Sequence, residues 1–447
     1  MADGNYLVGI VGGGFGALLT HTTLRYLGLE NDEIVIFGDE EDPVATYRAF
    51  AWGLGQTVLR SESESHFLPA DWPTFAVLDM FARRRLHSVA RSVNRTFNPG
   101  VPDILAEARA VAETFGYRES FRHGLVGDIV RGGGERDPHF GIYDTSGTLR
   151  ARARHVLVAV GHSPLFFPPV LEEARKTAAL RERIVQAYEP KHYAPGGRYV
   201  VVGSGIAGVN EWVNVLEAGG ECIALRRTPA PDDQDLNVPR CLFEAYGIDA
   251  FQQLDHAQRL RLLGQVLRGT TPQRRNWQSL IADGYRDGTF REVIGEITSV
   301  APGPEGLVVD IALQQGGSTG PLHVTGISAA TGFRKDAMSQ PLIRRLVERY
   351  RPPMEGPRIA LDGNCGIPPA DRPDSRLCMI GIHANIVIPN GDTIAGLKYI
   401  ARRFSADVMR AERRAKRGLV ERNAMHFRAM RRTIADLRAL PDTPQLS

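Results

Sequence analysis

The sequence predicts an α/β fold of two Rossmann-like dinucleotide-binding domains, one inserted into the other, followed by a basic C-terminal helical extension. Three observations carry this. An apolar strand runs into a glycine-rich turn at Val8-Gly9-Ile10-Val11-Gly12-Gly13-Gly14-Phe15-Gly16-Ala17. A second such junction, Tyr199-Val200-Val201-Val202-Gly203-Ser204-Gly205-Ile206-Ala207-Gly208, comes about 190 residues later. Each turn opens a helical pattern, the arrangement by which a backbone cradles a pyrophosphate. Beyond both lies an arginine-rich helical stretch from Arg402 to Leu440.

In the first turn, Gly12 permits the sharp exit from the strand and Gly14 lets the backbone approach a phosphate. Gly16 and Ala17 are small enough for helix and strand to pack closely. The next strand, Glu33-Ile34-Val35-Ile36-Phe37, runs into Gly38-Asp39-Glu40-Glu41, where Asp39 or Glu40 is the candidate to bind ribose hydroxyls. In the second turn, Gly203, Ser204, Gly205 and Gly208 complete the GxGxxG spacing. The strand that follows, Glu221-Cys222-Ile223-Ala224-Leu225, ends in Arg226-Arg227 rather than an acid. Arginines there favour a ribose 2′-phosphate, hence NADP over NAD.

Composition agrees with a globular enzyme. The chain has 447 residues, 43% hydrophobic and 23% charged, and can build two or three domains with proper cores. Its net charge of +3 is too small to argue for nucleic acid. No apolar run approaches the roughly 20 residues that span a bilayer. Cys222, Cys241, Cys365 and Cys378 form no CxxC pair and no metal-ligand spacing, and the N-terminus lacks the basic and apolar regions of a secretion signal. A reduced, cytoplasmic protein without metal, nucleic acid or membrane partner is expected.

The expected order is a nucleotide-binding first part over 1–189, an inserted second unit over 190–325, the return of the first unit over 326–404, and the extension over 405–447. Helices are expected from near Pro73, across Ile104 to Phe115, from Ala250 to Leu267 (followed by a Thr270-Thr271-Pro272 turn), and from Ile394 to Phe404. The basic extension, densest at Arg413-Arg414-Ala415-Lys416-Arg417, reads as a surface helix free to pack on a partner subunit in a homo-oligomer.

The two turns, the strand and turn from Val158 to Pro164, and Ala330-Thr331-Gly332-Phe333 after the insertion together resemble the class B flavin monooxygenases in motif order. These comprise flavin-containing, N-hydroxylating and Baeyer–Villiger enzymes. The resemblance implies FAD on the first turn, NADPH on the second, Thr331 and Gly332 among the cofactor-binding residues, and molecular oxygen as co-substrate. It also implies that a C4a-peroxyflavin delivers one oxygen atom to a small molecule. The Baeyer–Villiger fingerprint is broken here, with Gln186 in place of its histidine and Arg183 in place of a glycine. N-hydroxylation of an amine is therefore the leading expectation, with Baeyer–Villiger or S-oxygenation, or an NADPH reductase or sensor, as alternatives. A disulfide reductase would need a redox-active cysteine pair, and the chain has none.

Around the reacting centre, Arg60 is a candidate partner for a substrate carboxylate or the flavin, and His66 a candidate donor to a peroxide oxygen. Asn390-Gly391-Asp392-Thr393 opens a helix where related flavoproteins aim N–H groups at the flavin, so Asn390, Asp392 and Thr393 are candidates; Asp392 or Thr393 also suits a plain N-cap. His162, His383 and Asn385 are further candidates for the pocket wall.

Overall fold

The computed structural model describes residues 4–59, 66–93, 97–134, 137–162, 164–229, 239–266, 275–304, 306–334 and 336–441. Arg60, residues 61–65 and the Thr270-Thr271-Pro272 turn lie outside the described residues. Two seven-stranded sheets organise the rest.

The first sheet contains β1 (Gly4–Val11), β2 (Ile34–Gly38), β3 (Phe121–His123), β4 (Val126–Gly132), β5 (His139–Asp144) and β6 (Leu149–Val158), in the order β3-β2-β1-β6-β5-β4. The second contains β7 (Ile184–Gln186), β8 (Arg198–Val202), β9 (Glu221–Arg226), β10 (Phe290–Pro302), β11 (Leu307–Leu313), β12 (Leu322–Val324) and β13 (Gly326–Ala329), in the order β12-β11-β10-β9-β8-β13-β7. A small hairpin follows, β14 (Met354–Glu355) with β15 (Arg358–Ile359), and then β16 (Leu377–Met379) returns to the first sheet. One edge of β6 is shared: antiparallel β5 covers its first half and parallel β16 its last three residues.

The nucleotide-binding cores are parallel, β2-β1-β6 in one unit and β9-β8-β13 in the other. Parallel strands are covered on both faces, so they read as unbroken apolar runs. All five residues of β2 and the last four of β1 are accordingly buried.

Helices fill the connections. In the first unit these are α1 (Phe15–Leu27), α2 (Ala45–Gly53), α3 (Phe75–Arg83), α4 (Leu86–Val93), α5 (Val101–Phe115) and α6 (Tyr117–Ser120). In the second they are α7 (Pro169–Ala174), α8 (Ala178–Arg181), α9 (Ile206–Glu217), α10 (Ala245–Gln253), α11 (His256–Val266) and α12 (Arg275–Asp287). The chain closes with α13 (Pro341–Tyr350), α14 (Ile394–Ala411) and α15 (Leu419–Ala439). Proline sits in the first turn of α5, α7 and α13, where its missing N–H has no helical partner to lose.

Three expectations shift. Strands of the second sheet run from Ile184 to Ala329, beyond the 190–325 span on both sides, because β13 must pair with β8 and β7 to close that sheet. The helix expected over 250–267 is two helices. Asp255 caps the second, accepting from Gln258 N at 2.7 Å while its own N–H donates to Gln258 Oε1 at 3.0 Å. The basic extension is likewise broken. Arg413 adopts φ +50, and the arginine-rich run is a connector between α14 and α15 rather than a helix. Arg414 pairs with Glu33, and Arg417 reaches Glu30 at 2.6 Å. The helix after it packs on α3 and α5 of the same chain, burying Ala429, Thr433 and Leu437.

Candidate functional site

The two glycine turns are built alike. β1 ends at Gly12, whose φ is +119 and where an added Cβ would stand 2.1 Å from the Ala159 carbonyl oxygen. β8 ends at Gly203, with φ +121 and 2.4 Å to the Ala330 carbonyl oxygen. Only glycine tolerates both the left-handed backbone and the contact. Helices α1 and α9 then open at extended Gly14 and Gly205. No heavy atom comes within 4 Å of a Cβ built on Gly14, leaving the open approach a phosphate needs. Gly208 lies so close to the turn that a Cβ would be 2.3 Å from Gly203 O, while Gly16 faces Ile380 and Leu397 and Ala17 is fully buried. Asp39 and Glu40 are exposed just past the end of β2, as a ribose site requires.

The segments after β6 and β13 also match. Gly161 and Gly332 take φ +73 and +72, and the residues after them stack: the His162 and Phe333 rings lie 4.2 Å apart at 12°. Here the chain passes between units on two antiparallel segments, with Leu165 bridging Phe333 and Phe166 N donating to Gly332 O at 2.9 Å. Thr331 donates its hydroxyl to Phe166 O and Gln186 Nε2 donates there at 2.5 Å. The Thr331 side chain is thus engaged in the crossing rather than free for a cofactor. Phe333 also meets Tyr188 and Phe50, with centroids at 5.2 and 5.5 Å. This aromatic wall joins the two cradles.

A polar patch faces it from the last third of the chain. Thr393 caps α14, accepting from Gly396 N at 3.1 Å. Asn385 Nδ2 donates to Asp392 at 3.2 Å. Arg358, on β15, is 7% exposed; burial lowers its pKa and the Asp392 charge opposes that shift. Burial, helped by Arg358 and His162, lowers His383 to about 4, so it is neutral at physiological pH. The side-chain oxygens of Asn385 and Asn390 and one Nη of Arg358 are buried without a hydrogen-bond partner among the described residues. Buried polar atoms need partners, and these fit the polar edge of an isoalloxazine ring. The sequence did not single out Arg358, Tyr188 or Phe50; they belong to the site only through contacts distant in sequence.

Two expected site residues stand elsewhere. Arg226 is 2% exposed, with Nε 2.7 Å from Glu292 and its guanidinium over the Trp212 ring at 4.8 Å. It is a core residue, and Arg227 is the arginine left at the surface. His66 is wholly buried; its Nε2 lies 3.1 Å from Asp71 O and its Nδ1 3.8 Å from Glu107. Burial lowers its pKa to about 3, so it is neutral, and its ring is enclosed by the first unit's interior rather than exposed.

Among the described residues no group of His, Cys, Asp or Glu is arranged to hold a metal, and no helix is long and apolar enough to cross a membrane. No protein-family model matches the chain, and the search of curated proteins returned no match. Solved structures do match. An ornithine N-hydroxylase from Kutzneria superposes at TM-score 0.69 with 14% identity, over 91% of this chain and 100% of that one. The L-lysine 6-monooxygenase from Pseudomonas syringae gives 0.67 with 15% identity, over 90% and 99%. An ornithine hydroxylase from Pseudomonas aeruginosa gives 0.66 with 15% identity, over 91% and 100%. Across nearly its whole length, this chain has the two-unit fold shared by ornithine and lysine N-hydroxylating monooxygenases.

Proposed function

We propose that the chain is an FAD- and NADPH-dependent monooxygenase that converts a small-molecule amine to its N-hydroxy product. The balance is R–NH2 + O2 + NADPH + H+ giving R–NHOH + NADP+ + H2O. The observation that carries this reading is the matched pair of cradles, each sealed by a backbone carbonyl and joined through the His162–Phe333 stack. Similar structures are of enzymes that act on ornithine and lysine, and the Kutzneria structure holds reduced FAD, NADP+ and L-ornithine.

Gly12, Gly14 and the start of α1 would hold the FAD pyrophosphate, with Asp39 or Glu40 on its ribose. Gly203, Ser204, Gly205 and Gly208 would hold NADPH, with Arg227 toward the 2′-phosphate. Asn385, Asn390 and Arg358 supply unpartnered polar atoms for the flavin edge, and the N-terminus of α14 adds a positive dipole end. Bound flavin supplies the oxygen activation. The aromatic wall of Phe50, Tyr188 and Phe333 keeps water from the path between the rings.

Purified protein is expected to be yellow and to consume NADPH and oxygen in step with hydroxylamine formed from diamino acids or polyamines. A protein that takes up no FAD overturns the reading. NADPH oxidation without oxygenated product from amines identifies a reductase, and ester or sulfoxide products identify the other oxygenase chemistries.

A further inference from the structure

The end of α2 reaches from the first unit into the second. Leu54, just after α2, is 3% exposed and packs within the second unit's core beside Val209, Trp212 and Val213. Its carbonyl accepts from Nδ2 of Asn210 and of Asn214, each at 2.8 Å. The preceding carbonyl, of Gly53, accepts from Lys191 Nζ at 2.9 Å. Lys191 in turn lies 3.2 Å from the wholly buried Glu211, which also receives Asn214 Nδ2 at 3.0 Å and the hydroxyl of Ser328 on β13 at 2.5 Å. Gly53 fits only because it lacks a Cβ, which would stand 1.9 Å from Tyr188 O. The last carbonyls of a helix have no partner within it; here the opposite unit provides them.

We propose that Asn210 and Asn214, assisted by Lys191, are positioning residues that set the second cradle in register with the first and so fix the distance over which hydride passes. This rests on the proposed nicotinamide-to-flavin transfer. Both amides lie on α9, the helix whose first residues form the second cradle, so a shift of their grip moves that cradle as a rigid body. The other end of the grip is α2, whose Phe50 belongs to the aromatic wall and whose Tyr47 packs on Phe15 at the start of α1. Hydride transfer needs reacting atoms about 3–3.5 Å apart, and a displacement of about 1 Å costs on the order of a hundredfold in rate.

The test uses the full chain carrying FAD and the double variant Asn210→Ala/Asn214→Ala. Anaerobic bleaching of the flavin by NADPH is expected to slow by about ten- to a hundredfold, with FAD content, NADP+ affinity and bleaching by dithionite unchanged. Asn214→Gln keeps an amide donor and is expected to recover part of the rate. Amide hydrogen exchange over residues 50–56 is expected to accelerate in the double variant, with or without cofactors. An unchanged rate, or a loss explained wholly by weaker NADP+ binding, overturns the proposal. If NADPH fails to bleach even the wild type, the functional reading falls instead. Exchange over 50–56 then decides the grip alone, and unchanged exchange overturns it. Should the double variant not fold, Asn210→Ser and Asn214→Gln carry the same measurements.

Discussion

Gly12 and Gly203 each meet a backbone carbonyl just past the end of the neighbouring parallel strand, and a methyl group at either tests one cradle at a time. Gly12→Ala is expected to purify without FAD. Gly203→Ala is expected to stay yellow while its KM for NADPH rises about tenfold or more, a penalty of about 1.4 kcal/mol. Flavin absorbance and NADPH titrations check this, and parallel loss of both cofactors from either variant would contradict it. The two arginines after β9 separate in the same way. Arg226→Ala strips the partner from Glu292 and the cation from Trp212, and is expected to cost about 1–3 kcal/mol of stability by thermal melting. Arg227→Ala is expected to melt like the wild type and to raise KM for NADPH far more than for NADH. The buried cluster around His66 predicts a pH dependence. Burial raises Glu107 to about 8, so this carboxyl is protonated in the fold while the unfolded chain ionises near about 4.3. Its contribution is full below that lower value and is lost as pH climbs toward 8. His66, held neutral, contributes fully above about 6.5 and loses its contribution only as pH falls toward 3. Lys398, lowered by burial to about 8, acts above that pH, and Asp71, at about 2, acts far below. Between about 6.5 and 8 the folded Glu107 keeps its proton while the unfolded chain has lost it. Relative to wild type, Glu107→Gln should therefore gain stability across that window, as urea unfolding at its two ends would show.

Elements were legible where a local rule fixes them. The strand–glycine–helix junctions could be read because a positive φ beside a backbone carbonyl admits one residue type. The α14 start could be read because Thr393 caps its own helix. The break between α10 and α11 was missed although Asp255 and Gln258 are visible in the sequence, since apolar residues continue across it at helical spacing. Asp255→Ala is expected to cost about 1 kcal/mol through the lost cap. The arginine-rich connector was beyond reach for another reason: its partners Glu30 and Glu33 lie more than 380 residues away. Without those pairs visible, such a run is hard to tell from a solvated helix. Leu437 is fully buried where α15 packs on the first unit, so Leu437→Ala is expected to cost about 2–5 kcal/mol in chemical denaturation. A loss within error would mean that the last helix is only loosely attached.

At the scale of the whole molecule, motif order revealed two nucleotide units and their nesting, but it could not show how they touch. Leu54 reaches partners 156 and 160 residues away, and the buried polar patch is assembled from residues between Arg358 and Thr393. The crossing segments at Leu165 and Phe333 carry a further consequence. Because outgoing and returning chain run side by side, the ends of the inserted unit are neighbours rather than opposite poles. A short flexible bridge would close the host across that gap, and the excised piece would carry its own seven-stranded sheet to another scaffold. Besides the grip on Leu54 and the stacked rings, the packing of Ile248, Phe251 and Leu263 from α10 and α11 into the first unit's core would have to be rebuilt at its new seat.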